Sequence, residues 1–171
     1  ELPLRAARLR QHGPPELGGR RNGELHAMKQ LLQSEKMVLL RFDRGDELIS
    51  DLSRWFAQSG LSGAVIASGI GMVEDFEIGA YRPEGYEKSR MEGPAELLAL
   101  SGNISTKQGD PFPHVHVVLG RHDLSTMGGH LFRAGIAVTV EMCLLPASDT
   151  RLLRRENPGI PGFWQLDSET G

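Results

Sequence analysis

The 171-residue sequence predicts a single α+β domain: a mixed or largely antiparallel sheet of about seven strands with one main helix. Three observations lead there. Twenty-one glycines, most at the ends of apolar runs, imply many tight turns and hence a strand-rich chain. Several segments alternate apolar and polar residues with the period of a strand. One segment has a helical period instead: Leu48, Ile49, Leu52, Trp55 and Phe56 recur at i, i+1, i+4, i+7 and i+8.

Residues 1–27 are rich in Arg, Gly and Pro without a sustained apolar period, and are expected to be a flexible N-terminal extension or leader. Met28 is a candidate original start, because organised sequence follows it. Met37 to Phe42 is the first strand. The helix comes next, with Asp46 and Glu47 in its first turn to complement the dipole and Gly60 as its stop. Ala64 to Val73 is a strand broken by Gly69 and Gly71, the mark of a bulge or a close backbone approach. Phe76, Ile78 and Ala80 alternate with Glu77 and Gly79 as a half-buried strand. Pro83-Glu84-Gly85 turns the chain into a polar strand at about Glu87 to Met91, and Glu96 to Ile104 forms another. A polar loop through Gly109 and Asp110 leads to a strand at 114–119, and Ile136 to Leu145 closes the series. Beyond Pro146 the sequence shows turn chemistry, Arg154-Arg155, and Phe163-Trp164 as an apolar clasp. The expected divisions are an extension at 1–27, a domain at 28–157 and a tail at 158–171.

Composition narrows the function classes. The chain is formally −3; the first 27 residues hold five Arg and three Glu, so the remainder carries 14 basic and 19 acidic residues. A protein that neutralises phosphates usually shows a basic excess or stripe, so charge does not support DNA as a partner. Outside the Arg20-Arg21 pair, the densest basic patch is Arg151, Arg154 and Arg155. No apolar run approaches the roughly 20 residues of a membrane helix, and the N-terminus shows no secretory apolar core. The lone Cys143 excludes an internal disulfide and any CxxC motif, which makes a reducing cytoplasm the expected compartment and Cys143 a core thiol. Gly69-Ile-Gly71 lacks the third glycine and following helix of a dinucleotide fingerprint, and Gly102-Asn-Ile-Ser105 is no nucleophile elbow.

Chemistry concentrates in one place. His114, His116 and His130 fall within a stretch reading Pro-His-Val-His-Val-Val-Leu-Gly, a short turn, then Gly-Gly-His. On a strand, His114 and His116 share one face, about 6 to 7 Å apart at their bases, with Val115, Val117 and Leu119 on the other. Gly128 and Gly129 permit a third ligand to approach across the turn. Three imidazoles with an open position would make a ligand-accepting site for a divalent metal, zinc foremost. The alternative is a polar strand face with His130 at a turn. Glu141, which interrupts an apolar strand, is the candidate to orient an imidazole or act as a base on bound water, or else a surface carboxylate. Asn103 and Ser101 are candidates for the same cavity.

Five segments in order then carry a resemblance: Ser-Gly-Ile-Gly (68–71), Leu-Ser-Gly-Asn-Ile (100–104), Pro-His-Val-His-Val-Val-Leu-Gly (113–120), Gly-Gly-His-Leu (128–131) and Thr-Val-Glu (139–141). Together they resemble the plants-and-prokaryotes conserved domain, over about residues 33 to 157. The resemblance implies a compact α+β domain, a homotrimer, and a DNA-binding or regulatory role. Arg151, Arg154 and Arg155 are the candidate DNA contacts. Plant members attribute DNA contact to an Arg-Gly-Arg-Pro core, which this sequence lacks; Gly19-Arg20-Arg21-Asn22 is not one. The resemblance also implies an ion held by His114, His116 and His130, as in some prokaryotic members. A small-molecule enzyme or sensor using that ion with Glu141, and a purely structural trimer acting through protein partners, are the other function classes left open.

Overall fold

Alternation decides the first pairing in the structure, a computed structural model that describes residues 28–82, 84–160 and 162–170. In β2 (Val38–Asp43), Val38, Leu40 and Phe42 are buried while Leu39, Arg41 and Asp43 are half-buried. This strand is flanked by β1 (Lys29–Gln33), a polar strand exposed along its length. Helix α1 (Leu48–Ser59) follows, and its buried residues Leu48, Leu52, Trp55 and Phe56 repeat the sequence period. Its start differs from expectation. Glu47 caps the helix rather than lying inside it, accepting from the Ile49 and Ser50 amides, and Asp46 lies just before. Glu47 also accepts from Ala134 N at 3.0 Å, which ties the helix start to the sheet. Gly60 ends the helix in the left-handed conformation.

Four of the remaining strands were expected, but as shorter pieces. β3 (Ala64–Arg82) and β4 (Gly85–Lys107) each run through what the sequence splits in two. The apparent break is a bulge: Asp75 sits at φ 49°, and its carboxylate accepts from the Gly93 amide across the ladder at 3.1 Å. β5 (Asp110–Gly120) follows a two-residue turn in which Gln108 and Gly109 both have positive φ, so Asp110 opens the strand rather than sitting in a loop. β6 (Thr126–Pro146) carries both Gly128-Gly129-His130 and the 136–145 segment. The hairpin of β7 (Thr150–Glu156) and β8 (Trp164–Thr170) lies where turn chemistry was expected. The single domain is thus α+β, with eight strands and one helix among the described residues.

Pairing is antiparallel throughout, except where Thr106 of β4 meets Leu153 of β7. β3 pairs with both β4 and β6, and β5 pairs with the same two strands. These four long strands therefore close into a ring. The core fills the space between their inner faces and α1, with Ile66, Leu119, Ile136 and Met142 fully buried beside Leu48 and Leu52. No helix among the described residues is long and apolar enough to cross a membrane.

A candidate metal centre at the mouth of an aromatic pocket

Val115, Val117 and Leu119 pack into the core, which turns His114 and His116 of β5 to the opposite face. His130 arrives from β6, where it stands in register with His116 on one side and with Gly79 of β3 on the other. Two glycine contacts make that approach possible. A Cβ on Gly128 would lie 2.5 Å from the Val117 carbonyl oxygen, and one on Gly129 would lie 2.7 Å from that of Gly79. On the other edge of β5, a Cβ on Gly102 would fall 1.9 Å from the His114 carbonyl oxygen. Backbones this close admit no side chain, and the close approach is what fixes the histidine strand between its neighbours.

The three rings form a near-equilateral cluster, with centroid separations of 5.1, 5.0 and 5.4 Å. One nitrogen from each lies within 4.8 Å of the others. A tetrahedral ion about 2.0 Å from each nitrogen needs them about 3.3 Å apart, so the three rings would close slightly on binding one. Burial holds the His114 imidazole down to about 4, helped by the Arg154 cation and by His116. Burial likewise lowers His130 to about 4, with His114, His116, Lys88 and Arg154 adding to it. Both rings are therefore neutral at neutral pH, the form that binds metal. His130 Nδ1 is buried with no hydrogen-bond partner. A ring with a buried, orphaned nitrogen, packed against two other imidazoles, fits a metal ligand better than a polar strand face.

His114 and His130 also line a cavity of about 650 Å³. Its walls are aromatic. Tyr86 and Phe132 flank the His130 ring with centroids at 4.9 and 4.6 Å, and Lys88 Nζ stands 3.7 Å from the Phe132 ring centre. Tyr81, Phe112, Phe163 and Trp164 continue the lining, with α1 contributing Ile49 and Ser53. The expected clasp of Phe163 and Trp164 is thus part of the pocket wall.

Arg154 is the residue whose position the sequence least suggests. It is 7% exposed and lines the pocket rather than the outer surface. Its guanidinium donates to Ser105 Oγ at 3.2 Å, the Trp164 carbonyl at 3.3 Å and Asn103 Oδ1 at 2.6 Å. Arg155 and Arg151 are exposed but engaged: Arg155 pairs with Asp167 and Glu169 at 2.6 Å each, and Arg151 with Glu169 at 3.9 Å. The three arginines form no common basic patch. Asn103 and Ser101 stand directly across the ladder from His114 and His116. Glu141 is elsewhere: it lies exposed on β6 in register with Arg41 and Ile70, outside both the histidine cluster and the pocket lining. Cys143, expected in the core, is half-exposed on that outer face. His122 is exposed in its turn, and His12 and His26 lie outside the described residues.

A model of the Plants and Prokaryotes Conserved (PCC) domain matches residues 30–148. Among solved structures, a metal-containing protein from Archaeoglobus fulgidus is 33% identical with a TM-score of 0.69, covering 84% of this chain and 98% of that one. A plant- and prokaryote-conserved protein from Pyrococcus horikoshii is 29% identical with a TM-score of 0.68, covering 76% of this chain and 91% of its own. A "putative dna binding protein" from Bacteroides thetaiotaomicron has a TM-score of 0.74 at 23% identity, covering 82% and 97%. That last likeness is one of fold. No curated protein matches the chain.

Proposed function

Because the chain belongs to the Plants and Prokaryotes Conserved family, we propose that it is a divalent-metal member of that family. His114, His116 and His130 would hold one ion, zinc first, beside a pocket open to a small molecule. The observation that carries this is the convergence of three imidazoles, one of which, His130, holds a buried nitrogen without a partner. The metal-containing relative from Archaeoglobus, at 33% identity, supports it. When bound, a three-histidine zinc keeps a position for water or ligand and acts as a Lewis acid there. The protein's own part is to orient the imidazoles through Gly102, Gly128 and Gly129 and to keep those of His114 and His130 neutral by burial. Glu141 is too far along β6 to serve as a base on that water, so we assign it no catalytic role.

Cobalt substitution tests the site. Co(II) added to metal-free protein should give intense visible bands of a four-coordinate nitrogen site, and His130→Ala should abolish them. Weak bands of a six-coordinate aqueous ion in the wild type would overturn the assignment.

DNA binding in a regulatory role is the second function we carry, favoured by the description of the Bacteroides relative. It predicts retention of duplex DNA at low salt with affinity falling steeply as salt rises, and a shallower slope in Arg151→Ser/Arg155→Ser. No retention at low salt removes it. We further infer self-association as a homotrimer in the cytoplasm. The exposed apolar strip of Val65, Ile70, Leu98, Val118, Val138 and Leu145 on the outer side of the strand ring is the surface it would cover.

A further inference from the structure

A bare metal site does not account for Arg154. Its guanidinium is buried, yet every acceptor it meets is neutral: a hydroxyl, an amide and a backbone carbonyl. The acids of β8 are taken by Arg151 and Arg155. Among the described residues no carboxylate pairs with Arg154. A buried cation without a counter-charge is costly, and a bound anion relieves that cost. Three of its five N–H donors are used, and two remain. Two is the number a single carboxylate accepts side by side.

The surroundings specify the rest of the ligand. Lys107 lines the same cavity, with Nζ 4.4 Å from the Trp164 ring centre and 5.4 Å from that of Phe112, and it forms no ion pair among the described residues. Glu84, exposed, is the one carboxylate of the described lining. With Arg154 and Lys107 set against Glu84, the pocket lining carries a positive excess before any ion binds. Tyr81 packs edge-on against Tyr86 and Phe163, with centroids at 5.5 and 6.5 Å, and leaves an apolar wall partly open to solvent. Water alone has little affinity for such a wall; a flat or aliphatic body has.

We propose that this pocket binds a small organic carboxylate, with its carboxylate on Arg154 and Lys107 and its apolar body against the aromatic wall. The proposal rests on the metal-centre reading for the ion beside that body, while the Arg154 end is built by protein alone. An inorganic anion would satisfy the arginine but leave the aromatic wall uncovered.

The test titrates zinc-loaded full-length protein with benzoate, phenylacetate and hexanoate, each beside its neutral amide. Binding is followed by calorimetry, and zinc content is measured on the same samples. At least one acid should bind tenfold or more tightly than its amide. Arg154→Gln should reduce that preference to threefold or less. Lys107→Gln, which removes no hydrogen bond, should weaken the acid severalfold even if Arg154→Gln fails to fold. The proposal is overturned if no acid is preferred to its amide, or if the preference survives in Lys107→Gln and in any folded Arg154→Gln protein. Zinc at one per chain without acid preference sinks this proposal alone. Acid preference that depends on these two residues, in protein that holds no zinc, sinks the metal centre and leaves this one standing.

Discussion

Acidification of the metal-free protein should destabilise it well above the range where carboxylates titrate. His114 and His130 are lowered from 6.5 to about 4 in the folded protein, burial being the largest cause in each. The unfolded chain therefore binds protons to these rings first, and stability falls as pH drops from the unfolded value through the folded one. The stabilising contribution is fully present above about pH 6.5. Unscreened shifts would cost each ring about 2 kcal/mol by pH 5; the rings are half-buried, so solvent screening reduces this to about 1 kcal/mol per ring. Two rings together would remove about 2 kcal/mol from a typical domain stability of about 5–15 kcal/mol. Urea denaturation between pH 7.5 and 5 would read this, comparing the wild type with His114→Asn/His130→Asn. The variant should lose far less over that interval, since neither amide titrates. Parallel loss in the two proteins would refute the claim that buried neutral imidazoles dominate the slope.

Other outcomes follow from the same geometry. Zinc at about 100 times its Kd should stabilise the fold by about 2.7 kcal/mol. At roughly 2–4 °C per kcal/mol for a chain of this size, that raises Tm by about 5–11 °C, and His116→Ala should remove the rise. Gly102→Ala places a Cβ 1.9 Å from the His114 carbonyl oxygen. It should cost more than about 3 kcal/mol in urea denaturation; a loss under about 1 kcal/mol would show that β4 and β5 can separate without penalty. Val138 is 59% exposed, so Val138→Asp should change the stability of an isolated chain by less than about 0.5 kcal/mol. In sedimentation it should convert a trimer to smaller species; an unchanged assembly would place the interface elsewhere.

Much of the fold is legible where burial imposes a period. The 3.6-residue recurrence from Leu48 to Phe56 marks α1 because those residues face the core. The period-two spacing of His114 and His116 exposes their common face because Val115 and Val117 are buried opposite. Where one face is not buried, the signal fades. β1 is exposed at every position and β8 at most of them, so neither alternates in hydrophobicity. β3 reads as two strands because Glu74-Asp75 interrupts the apolar pattern, yet the bulge at Asp75 lets the ladder continue.

Arg154 shows a different limit. In Thr-Arg-Leu-Leu-Arg-Arg-Glu it looks like its neighbours Arg151 and Arg155, which are exposed. Its burial is decided by Asn103 and Ser105, 51 and 49 residues earlier in the chain, a relation no local period records. Tyr86 and Phe132 were missed for the same reason, although Phe132, two residues after His130, shares its strand face and could have been found by extending the period-two argument. Glu141 illustrates the converse. Its break in an apolar run singled it out, and the break coincides with an exposed position on the outer face of β6, away from the histidines.

The metal content of the full-length protein, purified without chelator and measured by mass spectrometry beside His114→Ala/His116→Ala, tests the central claim most directly. About one divalent ion per chain in the wild type, lost in the double variant, is the result the three-histidine centre predicts. No ion in either protein, or equal metal in both, would contradict it and leave His114, His116 and His130 as a polar face at the edge of an aromatic pocket.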